Sequence, residues 1–308
     1  MLQTVRDMKY GNSLMLAASI AFLFSCGEPS LDLVGMIDGR SPDVNERFAT
    51  SAESGPETRT VVSPTADYKV YVGTDMHIGI GSPTKHTDAF LEAFRADADA
   101  PMALILGDLV NDSKSMKRVS DHIREKAGAK AGCVFPALGN HDIYFKLWEQ
   151  WAAEWGSAHY KVEVRTPAGS DLYVCMESAS GYLGTRQLAW LKETLENSGN
   201  GKYRHLIVFT HTHMFKKDGS QGHTSNYPLE ETWELTSLFE RSGVELFLSG
   251  HCHSRDIAYF NGVEYVVVDA LDEDSPDSLT GYMTLEAGER LDCIFSRFDD
   301  RQIRSQSL

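Results

Sequence analysis

Five short segments of the chain carry side chains of the types that bind divalent metal ions in proteins. They combine aspartate, histidine and asparagine, and four of the five directly follow a short apolar run: Thr74–His77, Gly107–Asp108, Gly139–Asp142, Thr210–His213 and Gly250–His253. Side chains two residues apart in an extended segment point the same way, so Asp75 and His77 can face one ion together, as can His251 and His253. Imidazole, carboxylate and amide ligands suit Mn²⁺, Fe or Zn²⁺ better than Ca²⁺, which prefers oxygen alone.

The elements that must hold these segments are short apolar strands, which alternate with amphipathic helices from Tyr68 onward. Runs of β-branched and aromatic residues predict strands at Tyr68–Gly73, Met102–Leu106, Cys133–Leu138, His205–Phe209 and Val244–Leu248. Apolar residues at helical spacing predict helices that begin near Thr87 and cover Gln187–Leu195. Further helices are expected over the charged stretch Ser115–Lys130, the aromatic-rich stretch Ile143–Trp155 and about Glu230–Arg241. The glycines at positions 107, 139 and 250 let the strand ends turn sharply and allow the backbone to approach the site.

After His253 the pattern changes to β-hairpins. Ile257–Phe260 and Val263–Val268 flank the dipeptide Asn261-Gly262, which is typical of a tight hairpin turn. Alternating strands and helices followed by hairpins predict an α/β fold of the α+β type, with mixed central β-sheets. Ligands of open α/β sheets bind beyond the carboxyl ends of the strands, which is where the five segments lie.

Together and in this order, the five segments resemble the motifs of the calcineurin-like metallophosphoesterase superfamily. The family order is Asp-x-His, Gly-Asp-x-x, Gly-Asn-His-(Asp/Glu), a later His after an apolar strand, and Gly-His-x-His, and the resemblance covers roughly Tyr68 to Val268. It implies a four-layer αββα sandwich with two central mixed β-sheets flanked by helices. It also implies two divalent metal ions, and hydrolysis of phosphate mono- or diesters by attack of a metal-bridging hydroxide.

The family pattern implies seven metal ligands in this chain. Three bind the first ion, three bind the second, and one carboxylate bridges the two, in the order Asp75, His77 and His253; Asn140, His211 and His251; and Asp108. Two divalent ions about 3.5–4 Å apart clamp the oxygens of a phosphoryl group and supply hydroxide near neutral pH.

Three further residues of the motifs have expected roles. By the resemblance, His141 lies beside the ions and acts as the general acid on the leaving group, which suits an imidazole near pH 7. Asp142 is expected to accept a hydrogen bond that orients an imidazole. The family often has proline two residues after the fourth-strand histidine, where this chain has His213. The ligand is therefore His211 or His213, and the position favours His211.

The charge of the chain limits its partners. It has 29 Lys and Arg against 44 Asp and Glu, a net charge of −15 over 308 residues. This balance argues against sequence-independent nucleic-acid binding, which needs clustered basic residues. A small phosphorylated substrate is expected instead, because bound cations reverse the local sign in an acidic protein. Its identity depends on loops such as Gly79–Lys85, Ser178–Thr185 and Lys216–Tyr227, and the oligomeric state is left open.

Two other functions are compatible with parts of the pattern. A catalytically degenerate surface lipoprotein would keep the fold to bind a phosphate or sugar ligand, but degeneration should erase ligands, and all seven expected positions hold competent residues. A hydrolase of another ester or amide would need one zinc ion, whereas Asn140 and Asp108 favour two ions. We therefore expect an enzyme, a metal-dependent phosphoric ester hydrolase.

The N-terminus resembles a bacterial lipoprotein signal peptide. Arg6 and Lys9 precede the apolar run Leu14–Phe24, and Cys26 follows it. The run is shorter than the roughly 20 residues of a membrane-spanning helix. Residues 1–25 are thus the expected signal peptide, with lipid attached at Cys26 and the protein anchored in the cell envelope, on the periplasmic side or the cell surface. A plain cleaved signal and a buried helix are the alternatives.

The segment between Cys26 and the first strand lacks apolar periodicity. Residues 26–67 contain Pro29, Pro42, Pro56 and Pro64 among many Ser, Thr and acidic residues. This composition predicts a flexible tether. The metallophosphoesterase domain is then expected to occupy residues 68–308.

Overall fold

A computed structural model describes residues 42–199, 201–215, 226–273 and 280–298. The signal peptide predicted for residues 1–25 and its lipid-attachment residue Cys26 lie outside the described residues, as does most of the predicted loop Lys216–Tyr227. None of the helices among the described residues is long and apolar enough to cross a membrane.

Two mixed β-sheets form the centre of the fold. The larger sheet has seven strands in the order β1-β5-β6-β7-β8-β10-β9, and the smaller has five in the order β12-β11-β2-β3-β4. The strands are β1 Thr58–Val62, β2 Tyr68–Gly73, β3 Met102–Ile105, β4 Val134–Pro136, β5 Tyr160–Thr166, β6 Gly169–Cys175, β7 Leu206–Phe209, β8 Leu246–Ser249, β9 Asp256–Phe260, β10 Val263–Val267, β11 Gly281–Ala287 and β12 Leu291–Arg297. Both sheets contain parallel and antiparallel pairs, as the sequence predicts.

Helices cover the outer faces of both sheets. The helices are α1 Val44–Glu53, α2 Lys85–Ala96, α3 Met116–Ala127, α4 Asn140–Ile143, α5 Trp148–Trp155, α6 Gly184–Glu196 and α7 Leu229–Ser242. The helix predicted over Ile143–Trp155 is in fact α4, a 3₁₀ turn Tyr144–Lys146, and α5. The break leaves the short α4 free to present Asn140 and His141 at the end of β4.

The side chains of each strand alternate between two cores, which explains why the strands are apolar throughout. Val70 and Val72 of β2 point into the core between the two sheets, whereas Tyr71 packs against Phe90 and Phe94 of α2. A third core lies between the larger sheet and helices α6 and α7. The four-layer αββα sandwich is therefore confirmed, and each buried strand contacts apolar side chains on both faces.

The tether predicted for residues 26–67 is wrong for its second half. Helix α1 begins at a capping box in which Asp43 accepts from the backbone of Asn45 and Glu46. Strand β1 pairs in parallel with β5 along its whole length. Helix α1 escapes apolar pattern reading because the buried residues of its inner face include Arg47 and Ser51. Ordered structure therefore begins before Tyr68, in a region that composition alone made look like a linker.

Candidate metal centre

All five predicted segments meet at one end of the two sheets. Each follows the carboxyl end of its strand: Asp75 and His77 follow β2, Asp108 follows β3, Asn140 follows β4, His211 follows β7, and His251 and His253 follow β8. The strands of both sheets run parallel at this point, so their ends open onto the same space. The sheets thus bring residues separated by up to 178 positions into one site.

The backbone at this site is held in an unusual conformation. Seven described non-glycine residues have positive φ, and five of them are predicted ligands: Asp75, His77, Asp108, His251 and His253. A left-handed conformation costs a residue with a Cβ about 1–2 kcal/mol. Such residues persist where the surrounding structure over-determines them, and they concentrate at functional sites. The motifs do not specify this backbone conformation, but five of the seven ligands that they predict adopt it.

The first group consists of Asp75, His77 and His253. Nε2 of His77 lies 2.9 Å from Nε2 of His253. Oδ1 of Asp75 lies 3.4 Å from Nε2 of His253 and 3.7 Å from Nε2 of His77. Their ligand atoms therefore point toward a common volume with the size of a metal site.

The second group forms around His211. Its Nε2 lies 2.9 Å from Oδ1 of Asn140 and 3.1 Å from Nδ1 of His251. Its Nδ1 lies 2.8 Å from the carbonyl oxygen of Leu106, which can only accept, so Nδ1 carries the proton. Nε2 is then the nitrogen turned toward the site, as in a metal-binding histidine whose other nitrogen donates a hydrogen bond.

Asp108 lies between the two groups. Its Oδ2 is 3.6 Å from Nε2 of His77 and 3.3 Å from Nε2 of His211. Its Oδ1 accepts a hydrogen bond from the backbone N–H of His141 at 2.8 Å. The carboxylate occupies the position that a bridging ligand requires. The assignment of all seven side chains as ligands stays a prediction, to which this geometry is well suited.

The residues present also fit a pair of divalent ions chemically. Oδ1 of Asp75 is buried and has no hydrogen-bond partner among the described residues. A buried carboxylate oxygen without a partner is costly unless something positive faces it. The neighbouring donor set of imidazole, carboxylate and amide oxygen suits Mn²⁺, Fe or Zn²⁺.

The carboxylates and imidazoles of the centre shift one another's protonation. Burial raises the pKa of Asp108, but the charge and hydrogen bond of His211 outweigh it and hold that pKa well below its usual range. Burial likewise lowers the pKa of His211, but Asp108 outweighs it and raises the pKa to about 10. Burial lowers the pKa of His77, but the neighbouring carboxylates of Asp75 and Asp108 outweigh it and raise the pKa to about 9. The carboxylates are thus ionised at neutral pH, ready to bind cations.

Two glycines let the backbone segments approach this closely. A Cβ on Gly139 would overlap the backbone nitrogen and Oδ1 of Asp108. A Cβ on Gly250 would overlap Oγ1 of Thr74 and lie 2.7 Å from Oδ2 of Asp75. The close approach predicted from these glycines is confirmed.

Asp142 supports the site in a way that differs from the prediction. It is buried, and its oxygens accept from the backbone N–H groups of Leu109, Val110 and Gly139 at 2.9–3.2 Å. None of these partners is an imidazole, so the predicted role of orienting one is wrong. Burial, followed by the charge of Asp108, raises the pKa of Asp142 to about 7. Its contacts tie the turn after β3 to the start of α4.

His141 lies beside the groups of ligands. Its ring centroid is 4.5 Å from that of His77, and it shares a third cluster with His77 and Asp108. Burial lowers the pKa of His141 to about 4, although the charge of Asp108 opposes the shift. The imidazole is therefore neutral near pH 7. Tyr144, which sequence reasoning missed, accepts a hydrogen bond from Nδ2 of Asn140 at 3.2 Å.

The structure distinguishes the two candidates, His211 and His213, for the ligand in the segment that follows β7. His211 contacts Asp108, Asn140 and His251, as described above. The His213 ring lies 5.7 Å from that of His251, and Nδ2 of Asn226 lies 3.3 Å from its Nδ1. Geometry therefore favours His211 as the ligand and leaves His213 beside the site.

Comparisons with known proteins agree with the fold and the motifs. The profile of the family described as calcineurin-like phosphoesterase matches residues 68–255. No curated protein matches the chain. Among solved structures, GAP50, "the anchor in the inner membrane complex of Plasmodium", superposes with a TM-score of 0.57 at 12% identity, over 79% of this chain and 89% of that one.

Two phosphatases show the same fold. A dimetal phosphatase from Danio rerio has a TM-score of 0.53 at 13% identity, over 78% of this chain and 98% of that one. A purple acid phosphatase from yellow lupin (Lupinus luteus) has a TM-score of 0.58 at 15% identity, over 78% of this chain and 53% of that one. At these identities the likeness concerns the fold alone.

Proposed function

Because this chain belongs to the calcineurin-like phosphoesterase family, we propose that it hydrolyses phosphate mono- or diesters with two divalent metal ions. The observation that carries the proposal is the convergence of the predicted ligand atoms around Asp108, next to a buried Asp75 oxygen that has no hydrogen-bond partner among the described residues. A chain that had lost this chemistry would be expected to have lost some of these groups. A purely ligand-binding role is therefore the weaker hypothesis.

The ions, when bound, supply a nucleophile from water near neutral pH and neutralise the oxygens of the phosphoryl group. The protein's own part is to hold Asp75, His77 and His253 on one side of Asp108, and Asn140, His211 and His251 on the other. The hydrogen bond from His211 to Leu106 and that from Asn140 to Tyr144 fix two of these side chains. Such fixed orientation reduces the reorganisation that binding and reaction require.

His141 is proposed to act on the substrate rather than on an ion. Its backbone N–H is used on Asp108, and its Nδ1 has no partner among the described residues. As a neutral imidazole it has one N–H, which it can donate to a phosphoryl oxygen or to the leaving oxygen. Donation to the leaving oxygen would be the predicted general-acid role, and donation to a phosphoryl oxygen is the alternative.

The test is hydrolysis of p-nitrophenyl phosphate and of its bis ester by the purified protein with added Mn²⁺, before and after chelation. We expect activity that chelation abolishes and Mn²⁺ restores. Asp108→Asn is the matched variant, because it keeps the size of the side chain but removes the charge between the two groups. Equal activity in Asp108→Asn and wild type would contradict the two-ion proposal.

We further propose that the chain is exported and lipid-anchored at Cys26. The support is the signal-like sequence, in which Arg6 and Lys9 precede the apolar run Leu14–Phe24 and Cys26 follows it. Incorporation of a labelled fatty acid into wild type but not into Cys26→Ala tests this, and equal labelling would refute it.

A further inference from the structure

Helix α1 lies outside the residues that the family profile matches, and its Arg47 is buried in the domain. Nε and Nη2 of Arg47 donate to the two carboxylate oxygens of Glu177 at 3.3 and 3.1 Å. Nη2 also donates to Oγ of Ser180 at 2.6 Å, and Nη1 donates to the carbonyl oxygen of Pro42 at 2.8 Å. Arg47 is 1% exposed and Glu177 3%. One guanidinium therefore connects Glu177 and Ser180, in the segment that follows β6, to Pro42 before α1.

That segment contacts the strand end that carries a predicted ligand. Ser178, next to Glu177, lies against both neighbours of His211. Oγ of Ser178 accepts from Oγ1 of Thr210 at 2.6 Å and from the backbone N–H of Thr212 at 2.9 Å. The carbonyl oxygen of Ser178 accepts from Oγ1 of Thr212 at 2.9 Å. The residues before and after His211 are thus both fixed by Ser178.

The remaining contacts of this segment do not replace Arg47. The backbone of Glu177 exchanges two hydrogen bonds with the Gln187 side chain, at 2.6 and 2.8 Å. These bonds position the chain near α6. The Glu177 carboxylate also accepts from the backbone N–H of Ala179 at 3.1 Å, but among the described residues Arg47 is the cation that pairs with it. The same guanidinium contacts Ser180. A buried carboxylate that loses its cation either protonates or moves toward water. Either change would disturb Ser178 one residue further on.

From these contacts we propose that Arg47 is a positioning residue for the second metal ion, acting through Glu177 and Ser178 on His211. The inference rests on the proposed function, since it assumes an ion bound by Asn140, His211 and His251. It assigns the N-terminal helix a part in the metal centre, although that helix contributes no ligand. The three residues Asp75, His77 and His253 have no described contact with this relay, so the first ion should be indifferent to it.

Arg47→Lys is the informative variant. Lysine keeps the charge, but a single ammonium cannot reproduce the planar fork that reaches Glu177, Ser180 and Pro42 together. Loss of a residue that orients a metal ligand typically weakens metal affinity 10–100-fold. We therefore expect the dissociation constant of the Mn²⁺ ion at Asn140, His211 and His251 to rise at least 10-fold. The dissociation constant of the other ion should change less than 2-fold.

The chain offers a matched control in Arg204. Its Nε and Nη2 donate to both oxygens of Asp171 at 2.9 and 2.6 Å, and its Nη1 donates to the carbonyl oxygen of Ala66 at 2.9 Å. This ion pair has the same chemistry but contacts none of the metal-binding segments. Arg204→Lys should therefore lower stability in urea without changing either Mn²⁺ affinity.

The experiment is titration of the purified full chain with Mn²⁺ by calorimetry, for wild type, Arg47→Lys and Arg204→Lys. His251→Ala, which removes a ligand of the second ion only, identifies the affected binding step. If Arg47→Lys does not fold, Ser178→Ala interrupts the same relay without touching the ion pair, and it should weaken the same step.

The outcomes separate the inference from the function on which it rests. Weakening in Arg47→Lys or Ser178→Ala of only the binding step that His251→Ala also weakens supports the relay. Unchanged affinities in these variants, or equal losses in Arg47→Lys and Arg204→Lys, overturn it while two ions still bind to wild type. Wild-type protein that binds fewer than two ions overturns the proposed function itself, and the relay with it.

Discussion

Replacing His141 by alanine tests the chemistry of the centre most directly. The His141 ring lies 4.5 Å from that of His77, beside the predicted ligands, and its buried Nδ1 has no hydrogen-bond partner among the described residues. Removing it should leave both ions bound, because none of the seven predicted ligands is changed. We therefore expect His141→Ala to alter turnover without altering metal content.

The expected loss follows from what the imidazole can supply. Because burial lowers the pKa of His141 to about 4, it is neutral at pH 7 and donates one hydrogen bond. Loss of one donor to a charge that develops in the transition state costs about 10²–10³-fold in kcat, or about 2.7–4 kcal/mol. A general acid contributes about 10²–10⁴-fold. The size of the loss alone cannot distinguish the two roles.

The leaving group distinguishes them. A p-nitrophenolate leaves without a proton, whereas an alkoxide needs one. A neutral donor to the phosphoryl oxygens should matter equally for aryl and alkyl esters, and a general acid should matter mainly for alkyl esters. From the lowered pKa we expect His141→Ala to reduce kcat about 10²-fold on both.

The assay is kcat for an aryl and an alkyl phosphate, with metal content measured on the same samples. His122→Ala is the control, because His122 pairs with Asp88 between helices α2 and α3 rather than at the site. Unchanged turnover would remove His141 from the mechanism. A loss confined to the alkyl ester would refute the neutral-donor role and support the general acid, and loss of an ion would show that His141 is itself a ligand.

Three further perturbations have defined outcomes. Gly250→Ala should abolish Mn²⁺ binding, measured by equilibrium dialysis, because its Cβ would overlap Thr74 Oγ1; retained binding would contradict the close approach. Mn²⁺ at 100 times its Kd should add about 2.7 kcal/mol and raise Tm by about 5–10 °C, reversibly with chelator. Burial lowers the pKa of His159 from 6.5 to about 4. Its neutral form therefore contributes fully to the free energy of unfolding above pH 6.5, and about 3 kcal/mol of that free energy is lost by pH 4. In urea titrations at these two pH values, His159→Phe should reduce that fall, and an unchanged fall would exclude His159 as its source.

The convergence of the candidate metal ligands could be predicted because the information is local. Each predicted ligand comes within four residues of the end of a strand whose apolar run is visible in the sequence, and parallel strand ends meet at one edge. The role of Asp142 could not be predicted in this way. Its carboxylate accepts from the backbone N–H groups of Leu109 and Val110, which follow a different strand. Every residue except proline has a backbone N–H, so the identity of the donor residues does not indicate this contact.

Helix α1 shows a different limit of sequence reading. Its buried side chains Val44, Arg47 and Ser51 have helical spacing, but two of the three are polar. Their burial depends on partners far along the chain, such as Glu177, which is 130 residues from Arg47. A composition rich in proline, serine and charge therefore suggested a linker, where a long-range ion pair holds an ordered helix.

The left-handed backbone of the ligands adds a constraint that the motifs do not express. Backbone hydrogen bonds between the strand ends restrain these conformations. The acceptors are backbone carbonyl oxygens: Asp75 N–H donates to that of Gly107 at 3.1 Å, His77 N–H to that of Asp108 at 3.0 Å, and Gly250 N–H to that of His211 at 2.8 Å. Each segment is thus restrained by another that also carries a ligand. Since residues with shared partners couple energetically, the effects of changing two of these segments should not add. The strained turns that present the ligands therefore restrain one another, whereas the described hydrogen bonds of Ser178 to these turns reach only the one that contains His211.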